Sequence, residues 1–461
     1  MQTQKPTRVR YVVMAFLCSL SFLTYFDRVS IMRAQSEIQA DLHLDLDQLG
    51  YVLGAFWLAY GIFEIPSGWF GDSAGPRKTL LRIVIAWSLF TALTGTATGF
   101  ISLIACRFLF GAGEAGAYPN MAAIQSRWLP KGSRARAGGL LWLFARWGGA
   151  FSPLIFGAIT RGLTSPESLA TQAALPKEAA KSFVVMSVIP GVTTWRLGFF
   201  ISGALGVAWC IAFFSWFRDN PADKASVNQA ELDLIAEGKD KTQAAHNHAA
   251  GKEVWAALFA SPSLWALAGL YFCANFGWSF FVSWMPRYFE KIHNVTFEKS
   301  ELISALPLFC GGITCLLGGW ISDIVVRRTG WRRMGRAMFP VFGCTVAAAA
   351  MYGIHYTTTP AQAITLMCIA EGAYDFGQAA NWATIVDIGG KYSGTATGFI
   401  NMIGNFAQFI QPTVGAMIIK TKNGWDTLFF VYSAAFIAAA TMWLFIDPRR
   451  PFYEPRKMAT D

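Results

Sequence analysis

The chain has 461 residues, of which 54% are hydrophobic and only 14% charged, with 43 glycines besides. A soluble protein of this size carries roughly 25% charged residues to form its wet surface, so a soluble fold is excluded, as are disordered, collagen-like and disulfide-scaffold chains. The formal net charge of +10 invites nucleic acid as a partner, an idea that the placement of the charges removes.

Apolar runs near the bilayer-crossing length of about 20 residues occur at 11–32, 48–71, 79–97, 100–128, 137–160, 196–217, 262–289, 301–326, 337–356, 361–388, 393–419 and 426–446. They predict an all-α membrane protein with twelve spans. The third and fourth are parted by the turn residues Thr96-Ala97-Thr98-Gly99. The first runs into Asp27-Arg28 with no small-residue cleavage site, which makes it a span rather than a signal peptide. With the N-terminus taken as cytoplasmic, 25 of the 38 Lys and Arg fall on its side of the membrane, 10 on the other, and three (Arg28, Arg107, Arg146) inside spans. The bias predicts cytoplasmic termini in a multi-pass plasma-membrane protein (the inner membrane of a Gram-negative cell), and it accounts for the positive charge without nucleic acid.

Between the spans little suggests chemistry. The eight cysteines lie in apolar segments without a CxxC pair and read as small buried hydrophobes. His246 and His248 read as a solvated tract, and Ser226 to Gln229 as the capping box of a short linker helix. The outer loop from Arg161 to Thr194 reads as an insertion. No Ser/His/Asp set, HExxH or phosphate loop occurs and His355 stands alone, so neither an enzyme nor a metal or cofactor site is expected.

The chain repeats itself. Gly68-Trp69-Phe70-Gly71-Asp72 closes the second span and Gly319-Trp320-Ile321-Ser322-Asp323 the eighth, 251 residues later; Trp195-Arg196-Leu197-Gly198-Phe199-Phe200 opens the sixth and Trp425-Asp426-Thr427-Leu428-Phe429-Phe430 the twelfth, 230 later. Corresponding positions in two six-span halves indicate a duplicated unit. The expected organisation is a helical bundle at 1–217, a cytoplasmic linker at 218–261 and a second bundle at 262–461. The glycine–aspartate–basic segment, running on to Arg77 and Lys78, resembles the loop signature of the major facilitator superfamily, departing from it at Ser73. The resemblance implies two pseudo-symmetric six-helix bundles. Asp72, Arg77 and Asp323 are expected at the gate, with Asp72 facing a helix N-terminus and paired with Arg77.

An ionisable group inside a span costs at least ~2.5–3.5 kcal/mol, so each implies a partner or a wet cavity. Arg107 and Glu114 share one face of the fourth span, extended by Tyr118 and Gln125. Glu371, Asp375, Gln378 and Trp382 form a stripe in the tenth span, Asn401, Asn405 and Gln408 in the eleventh, and Tyr271, Asn275 and Trp278 in the seventh. Such polar stripes must face inward and describe a central cavity. Two roles stay open for Arg107, counter-ion to Glu114 or part of an anion site, and two for Asn401 and Asn405, interhelical glue or binding. Glu64, Arg82 and Asp387 read as interfacial or packing residues.

Tyr25-Phe26-Asp27-Arg28, with Arg107 through Glu114-Ala115 to Tyr118-Pro119, resembles the anion:cation symporter family. The resemblance implies proton-coupled symport of an organic anion such as a hexonate, hexuronate or aldarate, by a monomer in lipid, with no cofactor. It assigns substrate contacts to Tyr25, Arg28, Trp382 and Asn401 and proton sites to Asp27 and Glu114. Arg146, Asn275 and Gln378 join the binding set, and Arg107 and Asp375 the coupling set, from their places on the stripes. Arg146, Glu371 and Asp375 depart from the family's pattern. An organic-anion or phosphate-ester exchanger without proton coupling is the alternative.

Overall fold

A computed structural model describes residues 5–175, 184–237, 251–295 and 297–453. His246 and His248 lie outside the described residues. The helices are α1 (Val9–Leu42), α2 (Leu46–Ala74), α3 (Pro76–Thr94), α4 (Phe100–Glu114), α5 (Ala117–Trp128), α6 (Arg134–Gly162), α7 (Pro166–Ala174) and α8 (Thr194–Trp216), then α9 (Gln229–Ala236), α10 (Lys252–Ala260), α11 (Pro262–Ser283), α12 (Met285–His293), α13 (Phe297–Thr329), α14 (Arg332–Gly353), α15 (Pro360–Gly389), α16 (Ser393–Ile419) and α17 (Gly424–Met442). Among the described residues, ten stretches are long and apolar enough to span a bilayer, and the longest, Pro360–Ile419, is divided at Gly390–Tyr392 into α15 and α16. The twelfth expected span is α3, which carries Arg77, Lys78 and Arg82 in its first turns. Both described ends of the chain therefore lie on one side of the membrane, called here the terminal side.

Local chemistry sets the boundaries. Asp45 and Gln48 form a capping box at the start of α2, as Thr359 and Gln362 do before α15, and proline opens α3, α11 and α15. Two expected spans are broken. The fourth stops at Glu114 and restarts at Ala117, because Gly116 has φ 93° and a side chain there would run into Ser67. The seventh is interrupted at Trp284, after which Pro286 opens the short α12.

The pairing of helices repeats between the sequence halves. α1 packs on α6, α2 on α4 and α3 on α8; correspondingly α11 packs on α16, α13 on α15 and α14 on α17. Across the halves α2 meets α16 and α6 meets α13. On the terminal side these meetings are backbone-close: a methyl group on Gly68 would overlap the Gly394 carbonyl, and one on Gly319 the Ala135 carbonyl.

The linker is docked rather than merely solvated. The cap of α9 is Asn228, not Ser226: its side chain accepts from the Glu231 N–H at 3.0 Å, and it also accepts from the Thr7 N–H at 3.1 Å. Buried Glu231 in turn accepts from the Val9 N–H at 3.2 Å, the Arg10 N–H at 3.1 Å and the Arg10 guanidinium at 2.9 Å, so a linker carboxylate supplies the N-terminal cap that α1 lacks within itself. In the outer loop, α7 packs beside two isolated bridge pairs, Thr164 with Ser187 and Met186 with Thr193. His355 does not stand alone: its Nδ1 lies 2.9 Å from the Asp426 carboxylate.

Candidate substrate cavity

Between the halves lies a narrow cavity of about 40 Å³. Its first wall comes from the N-terminal half: Tyr25 and Arg28 of α1, Tyr60 of α2, Tyr118 of α5, and Trp142 and Arg146 of α6. The second is aromatic and amidic: Tyr271, Asn275 and Trp278 of α11, Tyr374 and Gln378 of α15, and Asn401, Asn405 and Gln408 of α16. The stripes read from the seventh and eleventh spans thus line it completely. Sequence reasoning missed Tyr60, Trp142 and Tyr374, although each stands four residues before a polar residue, Glu64, Arg146 and Gln378, and so shares that residue's helix face.

Arg28 is the cation of this space with open donors. Its Nε donates to Glu114 at 2.7 Å, while among the described residues neither terminal nitrogen has an acceptor, and Nη2 is buried. Its guanidinium lies 4.4 Å from the Tyr60 ring and 5.1 Å from that of Tyr25, with Phe56, Trp57 and Tyr118 a little farther out. Asp27 turns away from the cavity and is buried towards Trp87, with one oxygen lacking a partner. Arg107 does not form an ion pair with Glu114. It is buried against Phe56 and Phe110, 5.3 and 4.7 Å from their ring centres. Seven residues of helix separate the two groups by about 10 Å along the axis, and the break after Glu114 leaves that carboxylate to α1.

Arg146 is held differently. Its Nε and Nη2 each donate at 2.7 Å to an oxygen of Asp375, the bidentate form of a charge-assisted pair. Glu371 Oε1 lies 3.6 Å from Nε and accepts from Trp278 Nε1 at 2.8 Å. Glu64 is not interfacial. Fully buried, it accepts from Asn401 at 3.1 Å and from Asn405 at 2.7 Å, joining α2 to α16 directly beneath the cavity. An isolated Glu seven residues from the end of the expected span 48–71 resembles an interfacial anchor in sequence, and only the opposing helix reveals its partners.

Trp382 does not line the cavity. It is fully buried, donates to Gln125 at 2.8 Å and sits edge-on to Tyr118 and Trp142, so it forms part of the floor. Below it the terminal side is closed. Asp72 accepts from the Gly394 N–H at 3.2 Å and from the Thr395 N–H at 2.7 Å; Asp323 accepts from the Arg136 N–H at 2.8 Å and from Arg336 at 2.9 Å. Arg134 meets Asp387 at 2.7 Å. Arg77 does not pair with Asp72. Its backbone N–H donates to Asp219 at 2.9 Å and its side chain to the Phe214 carbonyl. Burial pushes the Asp219 carboxyl up, against the pull of that N–H. Arg82 lies over the Phe70 ring at 4.4 Å, a packing role.

The sequence pattern of the Major Facilitator Superfamily matches residues 17–412. The chain belongs to this superfamily. It is therefore a multi-pass membrane transporter and not an enzyme. It is 29% identical to a probable sulfoacetate transporter of Cupriavidus necator over 444 residues, covering 96% of this chain and 94% of that one. It is 25% identical to a D-galactonate transporter of Escherichia coli over 450 residues, 96% of each. Among solved structures, the superfamily proton:xylose symporter XylE bound to 6-bromo-6-deoxy-D-glucose superposes with a TM-score of 0.70 at 12% identity, over 95% of this chain and 96% of that one. That likeness establishes the twelve-helix major facilitator fold.

Proposed function

We propose that the protein imports an organic anion, a sugar acid, by symport with protons across the plasma membrane, acting as a monomer with cytoplasmic termini. The observation that carries this reading is the Arg28 guanidinium, set in the cavity wall with neither terminal nitrogen meeting an acceptor among the described residues. Such a fork meets a carboxylate through paired charge-assisted hydrogen bonds. The amides of the facing wall suit hydroxyl groups, and relatives named for D-galactonate and sulfoacetate carry organic anions.

Charge balance supports the proton. Around the cavity Asp27, Glu64, Glu114, Glu371 and Asp375 are buried with Arg28, Arg107 and Arg146, five acids against three bases. Were all of them ionised, the site would carry a net negative charge and repel its cargo. Protons on Asp27 and Glu114 remove that opposition and free Arg28, so proton and anion bind together. The halves 1–217 and 262–461, joined by 218–261, then rock about the cavity, with Asp72 and Asp323 releasing the terminal side.

The test is a thermal-shift screen of purified protein against sugar acids and dicarboxylates at two pH values, followed by uptake into proteoliposomes. Stabilisation by at least one sugar acid and accumulation driven by an inward proton gradient are expected. Counterflow indifferent to external pH would make it an exchanger, and no response to any carboxylate would end the organic-anion reading.

A further inference from the structure

Two arginines face the cavity, and they are not equivalent. Arg28 gives one N–H to Glu114 and keeps two nitrogens free. Arg146 has closed its fork on both oxygens of Asp375. The acids around it are fixed from behind: Trp278 Nε1 holds Glu371, and Gly311 packs so closely on Asp375 that a side chain there would collide with its carboxylate. At this end of the cavity one base faces two acids, Asp375 and Glu371. Tyr25 stands against the Arg28 guanidinium at 5.1 Å, and Trp278 against that of Arg146 at 4.6 Å. The rest of the second wall is uncharged.

We propose that the cavity selects hydroxylated anions with a single negative charge, and that Asp375 sets this limit by occupying Arg146. The inference rests on the organic-anion reading and narrows its substrate class. One carboxylate is met by Arg28 and the hydroxyl tail by the amides. A second carboxylate or sulfonate reaching the Arg146 end has to displace Asp375 from a bidentate pair and leaves two buried acids facing the newcomer. The named cargoes of the two relatives divide on this point, since D-galactonate carries one charge at neutral pH and sulfoacetate two. The geometry puts this chain with the former, although its identity to the sulfoacetate relative is the higher.

The experiment compares acids that differ only at the far carbon: D-gluconate with D-glucarate, and D-galactonate with galactarate. Dissociation constants are read at pH 7 from the fluorescence of the cavity tryptophans or from thermal shift. For the wild type, the better-bound aldonate is expected to bind at least tenfold more tightly than its matching aldarate. In Asp375→Asn, Arg146 keeps Glu371 as a counter-ion and gains a free edge, so the ratio should shrink at least tenfold, chiefly through tighter aldarate binding. Equal or tighter aldarate binding by the wild type overturns the proposal without needing the variant. An unchanged ratio in a folded Asp375→Asn overturns the role of Asp375. Binding of none of the four, together with failure of the wider carboxylate screen, brings down the organic-anion reading and this inference with it.

Discussion

Asp72 and Thr395 stand 323 residues apart in sequence and share two hydrogen bonds of 2.7 Å, one from the Thr395 N–H and one from its hydroxyl. The carboxylate of one half caps the first turn of a helix in the other, and Asp323 repeats the arrangement on the Arg136 N–H near the start of α6. The duplicated Gly–Trp–x–x–Asp segments therefore act as a reciprocal pair of caps, each closing one of the two seams between the halves.

Removing either cap should favour the state open on the terminal side. Loss of a capping side chain costs about 0.5–2 kcal/mol, so Asp72→Ala and Asp323→Ala should each lower the melting temperature slightly. Each should also raise labelling of a cysteine placed at Thr395 or Arg136. An unaltered labelling rate in both variants would remove the gate from these residues.

Arg28→Ala should abolish ligand-induced thermal stabilisation, since a hydrogen bond to a charged group is worth roughly 1.5–3 kcal/mol, about tenfold or more in affinity. Arg28→Lys should recover little, as an ammonium lacks the planar fork. Full proton-driven uptake by Arg28→Ala would refute the assignment.

Glu114→Gln mimics the protonated acid. It should keep counterflow exchange and lose accumulation against a gradient, with little dependence of binding on pH. Asp27→Asn should behave likewise. Accumulation retained in either variant would take that carboxylate out of the coupling.

Glu64→Ala strips the acceptor from Asn401 and Asn405 at once. Leaving the buried Asn405 amide unpaired costs about 1–3 kcal/mol, and because both asparagines line the cavity, KM should rise more than kcat falls. Equal losses in both would point to a purely structural brace.

Gly116→Ala should be severely destabilising, with little protein surviving detergent extraction. The residue has φ 93°, and a methyl group there meets the Ser67 side chain. Normal yield and melting temperature would show that α4 and α5 tolerate another path.

Much of this was readable from residue type and period. Twelve apolar runs yield the spans because bilayer thickness fixes their length. The amides of α11 and α16 announce a cavity because lipid tolerates no idle polar stripe. What stayed hidden was partnership. Arg107 and Glu114 share a face by spacing, yet a helix break sends Glu114 to Arg28. Trp382 lies on the polar stripe of α15 but turns to Gln125. Arg146 looks like a free cation in sequence, and the acid that occupies it lies 229 residues away in the other half. Period fixes which face a residue takes; which side chain waits opposite is decided by packing between distant segments.

The cap that Glu231 places on α1 has a consequence for biosynthesis. α1 leaves the ribosome with unpaired N–H groups at its start, and the carboxylate that satisfies them is translated only after α1 to α8 have all been made. At roughly 5–20 residues per second, the start of α1 waits about ten seconds or longer for this cap. The N-terminal arm is thus tied down when the first half is complete and before the second half begins to emerge, so Glu231 can act as a stitch marking the end of one round of assembly.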